Sequence, residues 1–249
     1  MTLPQAVDVA TVLARAGSHA GGVERWDALE ALELHVRVGG LAFRTVGQAG
    51  PVSDFDAVVA VHEPRVTFRS RTVPAWRGVF DGGTVQLHDA HGAVTAERRD
   101  AVVVRRAPWP RRWDAIDAMA FSGYALWGYT TFPALLRRDD VDVTSLGARQ
   151  IDGELLDGLR LRCPPSLPAH SPEQSLWFAD DGTMRRLDYR ARMIAPWARA
   201  ANLCTAETTA CGVTIPSARR VTPLLPGLRA APGPLLVSID LELTGVRER

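Results

Sequence analysis

The chain of 249 residues has a formal net charge of +1 and a hydrophobic content of 46%, so composition favours neither a nucleic acid nor an anionic membrane surface as partner. It contains no lysine, which excludes a lysine Schiff base and a P-loop. No apolar run reaches the roughly 18 residues of a membrane span. The first residues lack the features of a secretory leader, and the three cysteines are widely spaced, so we expect a reducing, cytoplasmic location.

The first half of the chain predicts two helices followed by an antiparallel meander. Residues 4–16 and 23–32 have helical character, with glycines between them. From about residue 33 to residue 96, apolar and polar residues alternate as in strands with one wet face. An arginine-rich connector, residues 97–112, follows; we interpret it as solvated, with an anion site as the alternative. The candidate strands are residues 33–38, 41–46, 54–62, 65–71, 77–81 and 84–88.

The middle of the chain, residues 113–132, predicts an aromatic-rich helix. At about 100° per residue, Trp113, Tyr124 and Trp127 share one face. Asp114 and Asp117 have the spacing of a helix start. Each buried ring removes roughly 150–250 Å² from water, so the helix should fill the concave side of a curved sheet and line a pocket.

The strand pattern returns in the second half, and Tyr189 is expected to point inward. The alternative register would place Arg186 and Asp188 inside as a polar site. The predicted fold is mainly β (α+β): a single domain, residues 1–249, in which one curved antiparallel sheet of about ten strands forms an open or half barrel around the helices. The candidate strands are residues 141–149, 154–163, 174–179, 183–194, 202–208, 212–222 and 235–243.

The candidate site residues are mostly aromatic. No nucleotide-binding, hydrolase or zinc-protease motif occurs, and we expect neither a metal nor a cofactor. Asp117 and His170 are candidate acid–base groups; the structural alternatives are a helix N-terminal carboxylate and a turn residue. The predicted ligand-binding residues are Trp113, Phe121, Tyr124, Trp127, Tyr129, Phe132, Trp177 and Tyr189.

Three segments resemble an uncharacterised bacterial family of the lipoprotein-localisation (LolA/LolB-like) half-barrel type. They are residues 113–136, residues 170–189 and the sequence Arg219-Arg220-Val221 before the last strand. Family members often carry one histidine at the position of Leu187 and another near that of Asn202. Better-known proteins of this fold carry lipid-modified proteins through the periplasm and hold acyl chains inside the half-barrel. The resemblance implies the fold and an apolar cavity, without implying the cargo.

These patterns predict a cytoplasmic protein that encloses a hydrophobic or amphipathic small molecule in an aromatic-lined cavity, with Tyr124, Tyr129, Tyr189 and His170 as polar anchors. The alternative is a cofactor-independent cyclase or isomerase of natural-product biosynthesis, in which Asp117 or His170 moves a proton. A third interpretation is a structural or interaction module whose interior is filled by its own side chains. The small molecule is the one partner predicted; the sequence indicates no protein partner.

Overall fold

The structure, a computed structural model, describes residues 7–50, 52–74, 76–102 and 112–249. The helix start predicted at Pro4 and the connector residues Arg105, Arg106 and Arg111 lie outside the described residues. Within the described part, the strands form one open antiparallel sheet of fourteen strands. This confirms the predicted fold class, with more strands than the ten or so expected.

The strands follow one another around the sheet in two wings that meet at the pairing of the first and last strands. The strands are β1 (Leu29–Gly39), β2 (Asp54–Ala60), β3 (Arg65–Ser70), β4 (Arg77–Asp81), β5 (Thr84–His88), β6 (Val94–Arg98), β7 (Asp142–Ile151), β8 (Glu154–Arg162), β9 (Glu173–Phe178), β10 (Met184–Arg190), β11 (Arg199–Ala210), β12 (Val213–Leu225), β13 (Arg229–Ala230) and β14 (Val237–Glu248). Their order is β6-β5-β4-β3-β2-β1-β14-β12-β11-β10-β9-β8-β7, and β13 pairs with β12.

Two predictions in the first half are wrong, for one reason. Strand β1 has β2 on one side and β14 on the other, so both of its hydrogen-bonding edges are occupied. Residues 29–32, predicted as the end of a helix, join this pairing as strand; Leu32, for example, pairs with Val59 and Val246. Residues 41–46, predicted as a return strand, have no free edge to pair with, and the short helix α3 (Leu41–Thr45) forms instead.

Helices lie at the ends and in the interior of the sheet. Helix α1 (Val9–His19) contacts β7, and α2 (Val23–Ala28) contacts α5 (Phe132–Leu135). The aromatic helix α4 (Ala115–Thr130) packs against β2, β3, β4, β5 and β12. Its start is as predicted: Asp114 accepts a hydrogen bond from the backbone N–H of Asp117 at 2.8 Å, and the two residues form a capping box.

Helix α4 is buried on nearly all sides, whereas an amphipathic helix would have one wet face. The helix lies close to the sheet at Gly123, where an added Cβ would lie 2.4 Å from Cγ of Phe80. Farther along the helix, a Cβ on Gly128 would meet nothing within 4 Å. The first part of the helix is therefore packed tightly on the β2–β5 wing, and free space lies beside its last turns.

Candidate functional site

Aromatic rings from α4, together with the ring of Trp113 just before it, form a continuous cluster on the inner face of the sheet. Phe121 lies in its middle, with ring centroids 5.3 Å from Trp113 and 5.5 Å from Tyr124. The imidazole of His170, which is far away in sequence, lies 5.4 Å from Phe121 and 4.8 Å from Tyr124. The structure thus brings most of the predicted aromatic residues together with one of the two candidate acid–base groups.

A hydrogen-bonded chain of three side chains runs through this cluster. The hydroxyl of Tyr129 lies 2.6 Å from Nε2 of His170 and 2.7 Å from the hydroxyl of Tyr189. The imidazole also stacks on the Tyr189 ring at 3.8 Å between centroids. Tyr189 points inward from β10, as the favoured strand register predicts. The three groups come from a helix, a loop and a strand, so only the folded chain assembles them.

His170 is held in place by the loop of residues 164–172. This loop closes at its base, where the N–H of Cys163 donates to the carbonyl of Pro172 at 2.8 Å. The His170 carbonyl accepts from the N–H of Arg192 at 3.3 Å, which attaches the loop to the segment after β10. Burial lowers the pKa of His170 to about 3, so its imidazole is neutral at physiological pH.

The phenols of the cluster are kept protonated by the same burial. Desolvation raises the pKa of Tyr129 to about 12, even though the hydrogen bond with Tyr189 and the charge of Arg219 act in the opposite direction. Desolvation also raises the pKa values of Tyr124 and Tyr189 well above the usual value. The chain therefore consists of neutral groups that can donate and accept hydrogen bonds.

Several buried polar atoms around the last turns of α4 have no hydrogen-bond partner in the described structure. They include the Tyr124 hydroxyl, Nε1 of Trp127 and Nδ1 of His170. An unpaired buried polar group costs about 1–3 kcal/mol, and native proteins contain few of them. Their concentration at one place indicates a site whose partner is a water or a ligand.

Two polar residues of the site were missed by the sequence analysis. Arg219 on β12 and Asn202 on β11 are fully buried, and the side-chain amide of Asn202 has no hydrogen-bond partner among the described residues. A signal for Arg219 was present: strand alternation puts it on the same face as Ile215 and Val221. Because arginine side chains are mostly exposed in proteins, this alternation was not taken as evidence that Arg219 points inward.

The interior holds less free space than the sequence analysis predicted. Beside Tyr124 and Trp127 is a cavity of about 20 Å³, enough for about one water molecule. A second cavity, of about 30 Å³, lies between Phe121 and strands β1 and β14. Ligand pockets usually measure about 300–1,000 Å³. The prediction of a preformed ligand-sized cavity beside these rings is therefore wrong for this conformation.

A much larger groove lies on the outer side of the loop that carries His170. It has a volume of about 430 Å³, and it is lined by Gly82, Asp100, Met193 and the loop of residues 164–172, among other described residues. Four consecutive loop residues, 167–170, line both the groove and the inner 20 Å³ cavity. This short segment is thus the partition between the outer groove and the aromatic interior.

Two predicted site residues have other contacts in the structure. Asp117 forms the helix capping box and accepts a hydrogen bond from Nη1 of Arg98 at 2.9 Å, contacts that support its structural interpretation. Trp177 was predicted to line the pocket, and the structure corrects this. It belongs to a separate apolar cluster on the outer face of the sheet, where its Nε1–H donates to Asp188 at 3.0 Å. Phe132 does line the 20 Å³ cavity.

The charged residues of β10, Arg186 and Asp188, also lie on the outer face of the sheet, next to this cluster. Arg186 and Asp188 point away from α4, as the favoured register predicts, and both side chains are buried. The guanidinium of Arg186 donates two hydrogen bonds to Asp188, at 2.6 and 3.1 Å, and a third to Asp152 at 3.2 Å. The positive charge of this buried arginine is therefore balanced by two neighbouring carboxylates.

No protein-family model matches the chain, and no curated protein is detectably similar to it in sequence. Among solved structures, a LolA superfamily protein from Nitrosomonas europaea is similar, with a TM-score of 0.52 and 12% identity over 98% of this chain and 94% of that chain. A DUF1329 family protein from Desulfovibrio piger has a TM-score of 0.45 and 14% identity over 96% and 92% of the two chains. The similarity to the LolA superfamily structure shows that the chain has a LolA-like half-barrel fold. No helix among the described residues is long and apolar enough to span a membrane.

Proposed function

We propose that this chain, with its LolA-like half-barrel fold, binds a hydrophobic or amphipathic small molecule between α4 and the inner face of the sheet. One observation carries the proposal. Residues 167–170 line both a groove of about 430 Å³ and an aromatic interior that contains unpartnered polar atoms. A ligand in the groove would reach that interior once this segment moved aside.

The closed interior sets a condition on this proposal. Its cavities of about 20 and 30 Å³ are too small for a ligand, so binding requires the loop of residues 164–172 to move outward. The space beside Gly128 and the unpartnered hydroxyl of Tyr124 lie on the side where the ligand would enter. The same small volumes favour the third interpretation, a module filled by its own side chains, which the experiment below distinguishes.

Binding can be measured with N-phenyl-1-naphthylamine, a neutral probe whose fluorescence rises in apolar surroundings, and with 1-dodecanol as competitor. Wild-type protein is expected to bind both. Gly128→Leu would fill the free space beside α4 and should abolish most of this binding, whereas Gly50→Leu, at an exposed turn with open space around it, should not. Wild-type protein that binds neither compound would support the filled module, and unchanged binding by Gly128→Leu would place the site elsewhere.

The cyclase or isomerase alternative has one observation in its favour. The Tyr189–Tyr129–His170 chain has the connectivity of a proton relay. The pKa of His170, lowered to about 3 by burial, leaves the imidazole a weak base near neutral pH. Native mass spectrometry of wild-type and Tyr129→Phe proteins from the same cells separates the two functions: a binder carries the same ligand mass in both, and an enzyme accumulates a different one.

The cytoplasmic location remains part of the proposal. The three cysteines are unpaired in the structure, and Cys211 is exposed, which fits a reducing compartment. Cell fractionation of the native host tests it directly, because recovery with periplasmic or secreted markers would contradict it.

A further inference from the structure

Arg219 is the most unusual polar residue of the interior. Its side chain is fully buried on the inner face of β12 and lines the 20 Å³ cavity under α4. Nη2 donates to the carbonyl of Tyr129 at 2.7 Å, and Nη1 contacts the sulfur of Cys204 at 3.2 Å. The guanidinium carbon also lies 4.6 Å from the centre of the Tyr129 ring.

These contacts leave the positive charge of Arg219 without a carboxylate. Among the described residues, none forms an ion pair with it. The last turn of α4 and the Tyr129 ring offer only partial negative charge, about half a unit at a helix C-terminus. A guanidinium stays protonated in proteins, and burying one without a counter-ion is costly. The missing partner is therefore an anion.

The unpaired hydrogen-bonding groups point in the same direction. Nε of Arg219 and Nε1 of Trp127 are both buried without a partner. Both are donors that cannot accept, and both residues line the same cavity. A partner for them must supply acceptor oxygens. A carboxylate does so in the planar geometry that suits a guanidinium.

We propose that Arg219 binds the carboxylate of a fatty-acid-like monoanion whose apolar chain lies along the aromatic face of α4. This inference rests on the proposed function and names its ligand class. A single negative charge fits because the other basic residue at the cavity, His170, is neutral there, with a pKa lowered to about 3 by burial. A phosphate dianion would exceed the single positive charge that the described residues bring to this cavity.

The test compares dodecanoate with 1-dodecanol, which have the same chain length and differ in head-group charge. Displacement of N-phenyl-1-naphthylamine near neutral pH gives both affinities. Wild-type protein is expected to prefer dodecanoate by at least about tenfold, since hydrogen bonds to a charged carboxylate are stronger than those to a neutral hydroxyl. Arg219→Met should reduce this ratio to about one. Arg220→Met is the matched control, because Arg220 follows in the same strand, is partly exposed and pairs with Asp240 at 2.8 Å; it should keep the wild-type ratio.

The outcomes separate the two proposals. Equal wild-type affinities for dodecanoate and 1-dodecanol, or a preference that survives in Arg219→Met, would overturn the carboxylate assignment and leave ligand binding intact. Failure of wild-type protein to bind either compound would overturn the proposed function itself. If Arg219→Met does not fold, the ratio of dodecanoate to 1-dodecanol affinity is compared between wild-type protein and Arg219→Lys. The lysine retains the charge but lacks the planar fork, so a reduced preference supports the proposal and an unchanged one contradicts it.

Discussion

Two buried arginines lie on opposite faces of the same sheet, and their surroundings differ. Arg186 on the outer face is 1% exposed and has two carboxylate partners, Asp188 and Asp152. Arg219 on the inner face is 0% exposed and has a backbone carbonyl, a thiol and an aromatic ring. The outer charge is balanced within the protein; the inner charge is not.

This difference separates a structural cluster from a candidate binding site. On the outer face, Asp188 also accepts from the indole of Trp177, so both charges and the indole donor are satisfied. On the inner face, donors of Arg219 and Trp127 remain unpaired. A buried network in which every polar group is hydrogen-bonded stabilises one conformation. Unpaired buried donors, in contrast, are available to hydrogen-bond a ligand.

Removing the outer carboxylate should have the largest effect. Asp188→Ala leaves Arg186 buried without its main partner, and such breaks cost about 3–5 kcal/mol in the free energy of unfolding. The matched change is Asp240→Ala at the partly exposed Arg220–Asp240 pair, which should cost less than about 1 kcal/mol. Urea unfolding measures both. Similar small losses for the two variants would show that the outer pair is not the tight structural cluster described above.

Acid should destabilise the inner face through His170. Burial lowers the pKa of His170 from 6.5 to about 3, so as the pH falls the unfolded chain takes up the proton before the folded chain does. The free energy of unfolding is therefore unaffected by the titration of His170 above about pH 6.5 and decreases as the pH falls toward 3. Between about pH 6.5 and 4.5 the loss should reach roughly 2–3 kcal/mol. In urea unfolding, the free energy of unfolding of His170→Phe should fall by that much less than the wild-type value over this pH range. The surface carboxylates titrate equally in both proteins, so their effect cancels in the comparison. Parallel profiles would contradict the burial of a neutral imidazole.

Two glycines of α4 should respond in opposite directions. Gly123→Ala places a Cβ 2.4 Å from Phe80, and overpacking of this kind costs about 1–3 kcal/mol. Gly128→Ala meets nothing within 4 Å and should raise the free energy of unfolding by up to about 1 kcal/mol through helix propensity. Thermal melting of the two variants checks the signs. A destabilised Gly128→Ala would mean that the space beside the last turns of α4 is filled.

Two tyrosine hydroxyls provide the finest comparison. Tyr129→Phe removes the hydroxyl between His170 and Tyr189 and leaves both without their partner, at a cost of about 1–2 kcal/mol. Tyr124→Phe removes a buried hydroxyl that has no partner and should leave stability equal or slightly higher. Chemical denaturation of the ligand-free proteins measures the difference. Equal losses would indicate that the Tyr124 hydroxyl is satisfied by an ordered water.

The sequence alone determined the local features of this protein. Alternation of apolar and polar residues identified most strands, and it placed Tyr189 inward on β10. The spacing of Asp114 and Asp117 gave the start of α4, and the density of rings placed that helix inside the sheet. These features depend on residues that are close together in the sequence, so they can be recognised from local sequence patterns.

Other features of the protein depend on contacts between residues that are far apart in the chain. Residues 41–46 became a helix because β2 and β14 occupy both edges of β1, and no local pattern contains that information. Arg219, Tyr129 and His170 meet only because β12, α4 and a loop are brought together by the register of distant strands. The free volume beside them depends on how side chains from all these elements pack, which is why the rings were foreseen and the size of the space was not.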